Sequence, residues 1–149
     1  MKSLKPILLV EDNLRDIELT LATFKQNHVA NSVVVARHGG EALDYLYRRG
    51  EHTGRAPGQP AVVFLDLKMP KVDGLEVLRQ MKSDPALKMI PVVMLTSSRE
   101  EGDLIQSYQN GVNAYIVKPV GFAEFSDAIR QLGIFWALLN ELPPDRKDE

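Results

Sequence analysis

The chain has 149 residues, 44% apolar and 26% charged, with 18 basic and 20 acidic side chains for a net charge of −2, and it has no cysteine. That length suits one domain around one core, the mild acidity lacks the basic footprint of a nucleic-acid binder, and the missing cysteine excludes disulfides, thiolate metal sites and a cysteine nucleophile. No stretch approaches the roughly 20 apolar residues of a membrane span and no signal-type segment opens the chain, so a cytoplasmic protein without membrane contact is expected.

Ile7 to Val10 is the first of five short apolar runs and reads as strand β1. Asn13 can cap helix α1, which carries Leu14, Ile17, Leu21 and Phe24 on one face. Val33 to Ala36 reads as β2, and Gly39 to Arg49 as α2 with Ala42, Leu43 and Leu46. Gly50 to Pro60 is rich in Gly, Pro and polar residues and is expected to lengthen the next connection without adding an element. Val62 to Leu65 reads as β3, and Leu75 to Lys82 as α3 with Leu75, Leu78 and Met81. Val92 to Leu95 reads as β4, and Glu100 to Asn110 as α4 with Leu104, Ile105 and Tyr108, stopped by Gly111. Tyr115 to Val117 is a weaker β5, and Phe122 to Leu142 reads as α5 with Phe125, Ile129, Leu132 and Trp136, ended by Pro143-Pro144.

Continuous β-branched runs suit a parallel sheet buried on both faces. Alternation with helices then predicts an α/β fold with a doubly wound five-stranded parallel sheet, order 2-1-3-4-5, and five helices. Such sheets bind ligands at the carboxyl ends of the strands beside the switch point between β1 and β3. Function is therefore expected just after Val10 and just after Leu65.

β1 runs into Glu11-Asp12 and β3 ends on Asp66, so this topology gathers three carboxylates in one crevice. Like charges that close force a proton onto one group unless a cation neutralises them. A hard, oxygen-seeking ion fits, and Mg²⁺ fits best, because it binds through one or two carboxylates and leaves positions for phosphate oxygens. Thr96 after β4 and Lys118 after β5 add a hydroxyl donor and a compact cation at the same sheet edge. Nucleophile, metal, donor and cation are the parts of phosphoryl transfer, which proceeds by positioning and charge neutralisation.

In order and spacing, Leu9-Val10-Glu11-Asp12-Asn13, Leu65-Asp66-Leu67-Lys68-Met69-Pro70 with Asp73-Gly74, Leu95-Thr96-Ser97 and Lys118-Pro119 resemble the receiver domain of two-component response regulators, a flavodoxin-like fold. The resemblance implies that Asp66 is phosphorylated by a sensor histidine kinase. It implies that Asp12, Asp66 and the backbone carbonyl of Lys68 bind Mg²⁺, with Mn²⁺ as a substitute, while Glu11 holds metal-bound water and Thr96 and Lys118 contact the phosphoryl group. It makes Thr96 and Tyr115 the switch pair acting on an α4-β5-α5 face, gives Lys118-Pro119 a cis bond, and sets Lys68 and Ser98 beside the route of hydrolysis. A single receiver domain over 1–149 is expected, core about 5–142 with a polar tail 143–149 and no output domain.

The Gly50 to Pro60 connection, the Lys82-Ser83-Asp84-Pro85 stretch, the Gly111 to Tyr115 run and Phe135-Trp136 resemble most closely the small response regulators of phytochrome-type kinases. That implies a bacteriophytochrome as kinase partner and a homodimer through α4-β5-α5, with Phe135 and Trp136 at the interface. Two other classes compete. Aspartyl-nucleophile phosphatases use the same chemistry but carry a second Asp where this chain has Lys68, and their acidic pair comes late. Flavin modules of this fold carry a Ser/Thr/Gly phosphate loop where Glu11-Asp12 would repel phosphate. A receiver that only docks, without phosphorylation, is argued against by the intact acidic set.

Overall fold

The computed structural model describes residues 4–27, 29–69, 72–97, 100–118 and positions 121, 123 and 127. The expected α5, Phe135, Trp136, Pro119, Ser98 and the tail lie outside the described residues. Five parallel strands run in the order β2-β1-β3-β4-β5: β1 (Ile7–Val10), β2 (Val33–Ala36), β3 (Val62–Asp66), β4 (Val92–Thr96) and β5 (Ala114–Val117). The helices described are α1 (Leu14–Gln26), α2 (Gly39–Tyr47), α3 (Gly74–Ser83) and α4 (Glu101–Gln109). The doubly wound topology is the expected one.

Strand alternation splits the core into two layers. Leu8, Val10, Val63, Leu65 and Met94 point to the side covered by α2 and α3, against Leu46, Leu78 and Met81. Ile7, Leu9, Phe64, Val93 and Leu95 point to the side covered by α1, where Phe64 meets Phe24 with ring centroids 5.0 Å apart. β1, β3 and β4 are buried along their full length. The edges are not: Val33 to Val35 of β2, and Tyr115 and Val117 of β5, are only half-buried, because each edge strand has one neighbour. The expectation of runs buried on both faces therefore holds for the three inner strands alone.

The helix faces also differ from expectation. In α1, Leu14 is 61% exposed and the inward stripe is Ile17, Thr20, Thr23 and Phe24. In α4, Leu104, Ile105 and Tyr108 are 37%, 45% and 50% exposed, and the residue turned fully inward is Ser107. Helix α2 stops two residues early at Arg48, which takes the left-handed conformation (φ 55°, ψ 50°). The long connection that follows does add an element, a 3₁₀ turn at Gly50–His52. It is pinned by Arg55, whose guanidinium stacks 4.1 Å above the Tyr45 ring and donates to the Tyr45, Ala56 and Gly58 carbonyls.

Candidate functional site

Register brings the site together. Val10 pairs with Leu65, Asp66 with Leu95 and Thr96 with Val117, so the residues that end β1, β3, β4 and β5 form one rim. Asp66 and Thr96 are the last residues of their strands, buried at 5% and 0% exposure. Glu11, one residue beyond β1, is 1% exposed, and its Oε2 accepts from the Asn13 N–H at 3.2 Å. Asp12 is half-buried, and its carbonyl accepts from the Arg37 guanidinium at 2.9 Å.

One oxygen from each of Glu11, Asp12 and Asp66 lies within 4.8 Å of the others. The crowding has an electrostatic signature: burial, then the charge of Glu11, pushes the Asp66 carboxyl up to about 7, against the pull of Lys118. A cluster of hard oxygen donors, two of them buried, in which the Asp66 carboxyl resists ionisation suits a divalent cation, and no other donor chemistry is present in it.

The Lys118 ammonium sits at the centre of this charge, 2.6 Å from Glu11 Oε1, 2.9 Å from Asp16 Oδ2 and 3.4 Å from Asp66 Oδ1. Burial would lower it, but the bonds to Glu11 and Asp16 and the charges of Asp66 and Glu11 outweigh that and raise it above its ordinary range. The backbone N–H of Lys118 donates to the Thr96 carbonyl at 2.7 Å, which ties the end of β5 to that of β4.

Sequence reasoning named Glu11, Asp12, Asp66, Thr96 and Lys118, and the fold brings all five to one rim. It missed Asp16. The available signal was an acid in the first turn of the helix that leaves the switch point, where a helix N-terminus favours a carboxylate. Lys68 lies in the loop after β3, mostly exposed, with Nζ 3.6 Å from Asp103 on α4. Tyr115 is half-buried and packs on the α2/α3 side of the core. The loop after β3 is held close to the site by Gly74, where a Cβ would stand 2.2 Å from the Asp66 carbonyl oxygen.

The response regulator receiver domain model matches residues 7–130. The structure is similar to that of the bacteriophytochrome response regulator AtBRR, with 63% identity, a TM-score of 0.85, and 94% of this chain and all of that one covered. Response regulator Rcp1 of Synechocystis is 37% identical over 139 residues, 93% of each chain, and the Mn²⁺-bound form of Rcp1 superposes with a TM-score of 0.74, covering 93% of this chain and 99% of that one. The probable methanogenesis regulatory protein FilR2 of Methanothrix harundinacea is 39% identical over 137 residues, 92% of this chain and 86% of that one. Matched along most of its length, the chain belongs to the response regulator receiver domain family.

Proposed function

We propose that this protein is a receiver, core 5–142, that accepts a phosphoryl group from a sensor histidine kinase on Asp66 and passes the signal on through protein contacts. The observation that carries the reading is the convergence of Glu11, Asp12 and Asp66 within 4.8 Å, with the Lys118 ammonium 3.4 Å from the Asp66 carboxylate. A carboxylate nucleophile beside a fixed cation is the minimum equipment for accepting phosphate.

Glu11, Asp12, Asp66 and the Lys68 carbonyl would hold Mg²⁺, or Mn²⁺ in its place, which supplies charge neutralisation for the phosphoryl oxygens. Asp66 Oδ attacks phosphorus as the bond to the kinase imidazole breaks, and the imidazole leaves with the electron pair. Lys118 and the Thr96 hydroxyl receive the phosphoryl oxygens. Hydrolysis ends the phosphorylated state: water attacks phosphorus, the bond to Asp66 Oδ breaks, the carboxylate leaves with the electron pair, and inorganic phosphate carries the water oxygen and its protons away. The resemblance to receiver domains, in which the Lys68 position flanks that route, supports a part for its side chain in the lifetime of the acyl phosphate.

The switch is Thr96 with Tyr115, acting on the α4-β5-α5 face, which also serves for homodimer contact. The exposed Leu104, Ile105 and Tyr108 of α4 support that use of the surface. The kinase is of the bacteriophytochrome type. The 63% identity to AtBRR, against 39% to FilR2, supports this pathway over another one.

Incubation with acetyl phosphate and Mg²⁺ is expected to add one phosphoryl mass, and Asp66→Asn to abolish it. Equal labelling of Asp66→Asn would remove Asp66 as acceptor, and no labelling of the native chain would leave a docking-only receiver. Faster transfer from a bacteriophytochrome kinase than from unrelated kinases is expected, and equal rates would remove the pathway assignment.

A further inference from the structure

We infer that Asp16 is a positioning residue for Lys118: from the first turn of α1 it holds the ammonium to one side of the site and withholds part of its charge from Asp66. The role rests on the reading of Asp66 as phosphoacceptor. It predicts that Asp16 strengthens binding of the metal and weakens binding of the phosphoryl group.

Three carboxylates surround Lys118 Nζ, and Asp16 Oδ2 holds it by a hydrogen bond of 2.9 Å across 102 positions of chain, beside Glu11 at 2.6 Å and Asp66 at 3.4 Å. Asp16 is fixed for the task. Its N–H donates to the Asn13 cap at 3.0 Å, which sets it in the first turn of α1. Its side chain is 31% exposed, so the charge carries little burial cost.

An ammonium has three N–H donors and no acceptor, so its partners compete for it. A phosphoryl group on Asp66 brings three strong acceptor oxygens and must draw donors from those partners. Glu11 and Asp66 both belong to the acidic cluster that suits a metal, so a bound ion relieves their demand on Lys118. Asp16 lies outside that cluster. It therefore remains as the competitor for the ammonium after a metal has bound. Its charge also adds to a rim where Glu11 and Asp66 already share the Lys118 ammonium, which favours a cation and opposes an anion.

The test is Asp16→Asn, which keeps the shape and an oxygen acceptor but removes the charge. Titration calorimetry would measure Mg²⁺ alone and then beryllofluoride, a tetrahedral mimic of the phosphoryl group, at saturating Mg²⁺. Mg²⁺ affinity is expected to fall and beryllofluoride affinity to rise, each about two- to fivefold, the effect of a partly exposed charge pair. Asp16→Glu, which restores the charge, is expected to move both back toward the native values. The role is overturned if both affinities are unchanged, the mark of a surface pair without consequence, or if both fall, the mark of a merely structural residue. Should native protein fail to bind beryllofluoride, or Asp66→Asn bind it equally, the phosphoacceptor reading fails and this role falls with it.

Discussion

At the scale of single residues, two backbone positions carry opposite constraints: Gly74 beside the site has no room for a side chain, and Arg48 at the end of α2 takes a conformation suited to glycine. Gly74 follows the Asp73 cap of α3, and a methyl group there would meet the Asp66 carbonyl oxygen at 2.2 Å and the Leu67 Cα at 2.9 Å. Both obstacles are backbone, so the end of β3 must move to make room. Gly74→Ala is expected to cost about 1–3 kcal/mol in urea unfolding, as overpacking does, and to slow labelling by acetyl phosphate, because the displaced peptide carries Asp66. Arg48 presents the opposite case. It ends α2 at φ 55°, in a region that costs a side chain roughly 1 kcal/mol and glycine nothing. Its guanidinium bond to the Arg55 carbonyl at 3.2 Å is exposed and returns little. Arg48→Gly is therefore expected to stabilise the fold by up to about 1 kcal/mol, read as a higher urea midpoint with unchanged slope.

At the scale of elements, α4 shows where sequence periodicity stops being informative. Its Leu104, Ile105 and Tyr108 repeat at helical spacing and read as a core stripe, but they lie on the exposed side while Ser107 faces inward. Period identifies a helix and an apolar face; it carries nothing about which neighbour covers that face. The inner strands were legible because an unbroken run such as Val62 to Leu65 suits a place buried on both sides, although the edge run Val33 to Ala36 carries the same pattern and is only half-buried at Val33 to Val35. The rim was legible too, because strand ends are fixed by topology. Asp16 was not, because it lies within helix α1 and not at a strand end, so topology alone does not assign its side chain to the rim.

Helix α4 has no side-chain N-cap bond, and the fully buried Ser107 hydroxyl has no hydrogen-bond partner among the described residues. Ser107→Ala is expected to be neutral or stabilising by up to about 1 kcal/mol, since it removes an uncompensated polar group. Ile105→Glu is expected to change the stability of the isolated protomer by less than about 0.5 kcal/mol. If α4 contributes to a homodimer, the same change weakens association in sedimentation.

For the whole molecule, the rim couples stability to pH. Burial and Glu11 raise the Asp66 carboxyl from 3.8 to about 7, so between roughly pH 4 and 7 the folded chain holds a proton that the unfolded chain has released. Stability of the metal-free protein then falls as pH rises through that window and levels off above it. The full loss is on the order of 4 kcal/mol, at about 1.4 kcal/mol per pH unit where the slope is steepest. Asp66→Asn cannot ionise, so it should flatten this part of the profile and be more stable than the native chain above about pH 7 in chelator. A divalent ion acts on the same group in the opposite direction, because it binds the ionised carboxylate and removes the repulsion that raised it. Stabilisation by Mg²⁺ should therefore be largest above about pH 7 and fade as protons displace the ion on the way down to about pH 4. Urea unfolding in chelator and in saturating Mg²⁺, at several pH values across that range, measures both curves. Parallel curves would mean that the ion does not bind through the group that titrates in this window, whereas convergence at low pH ties the two effects to Asp66.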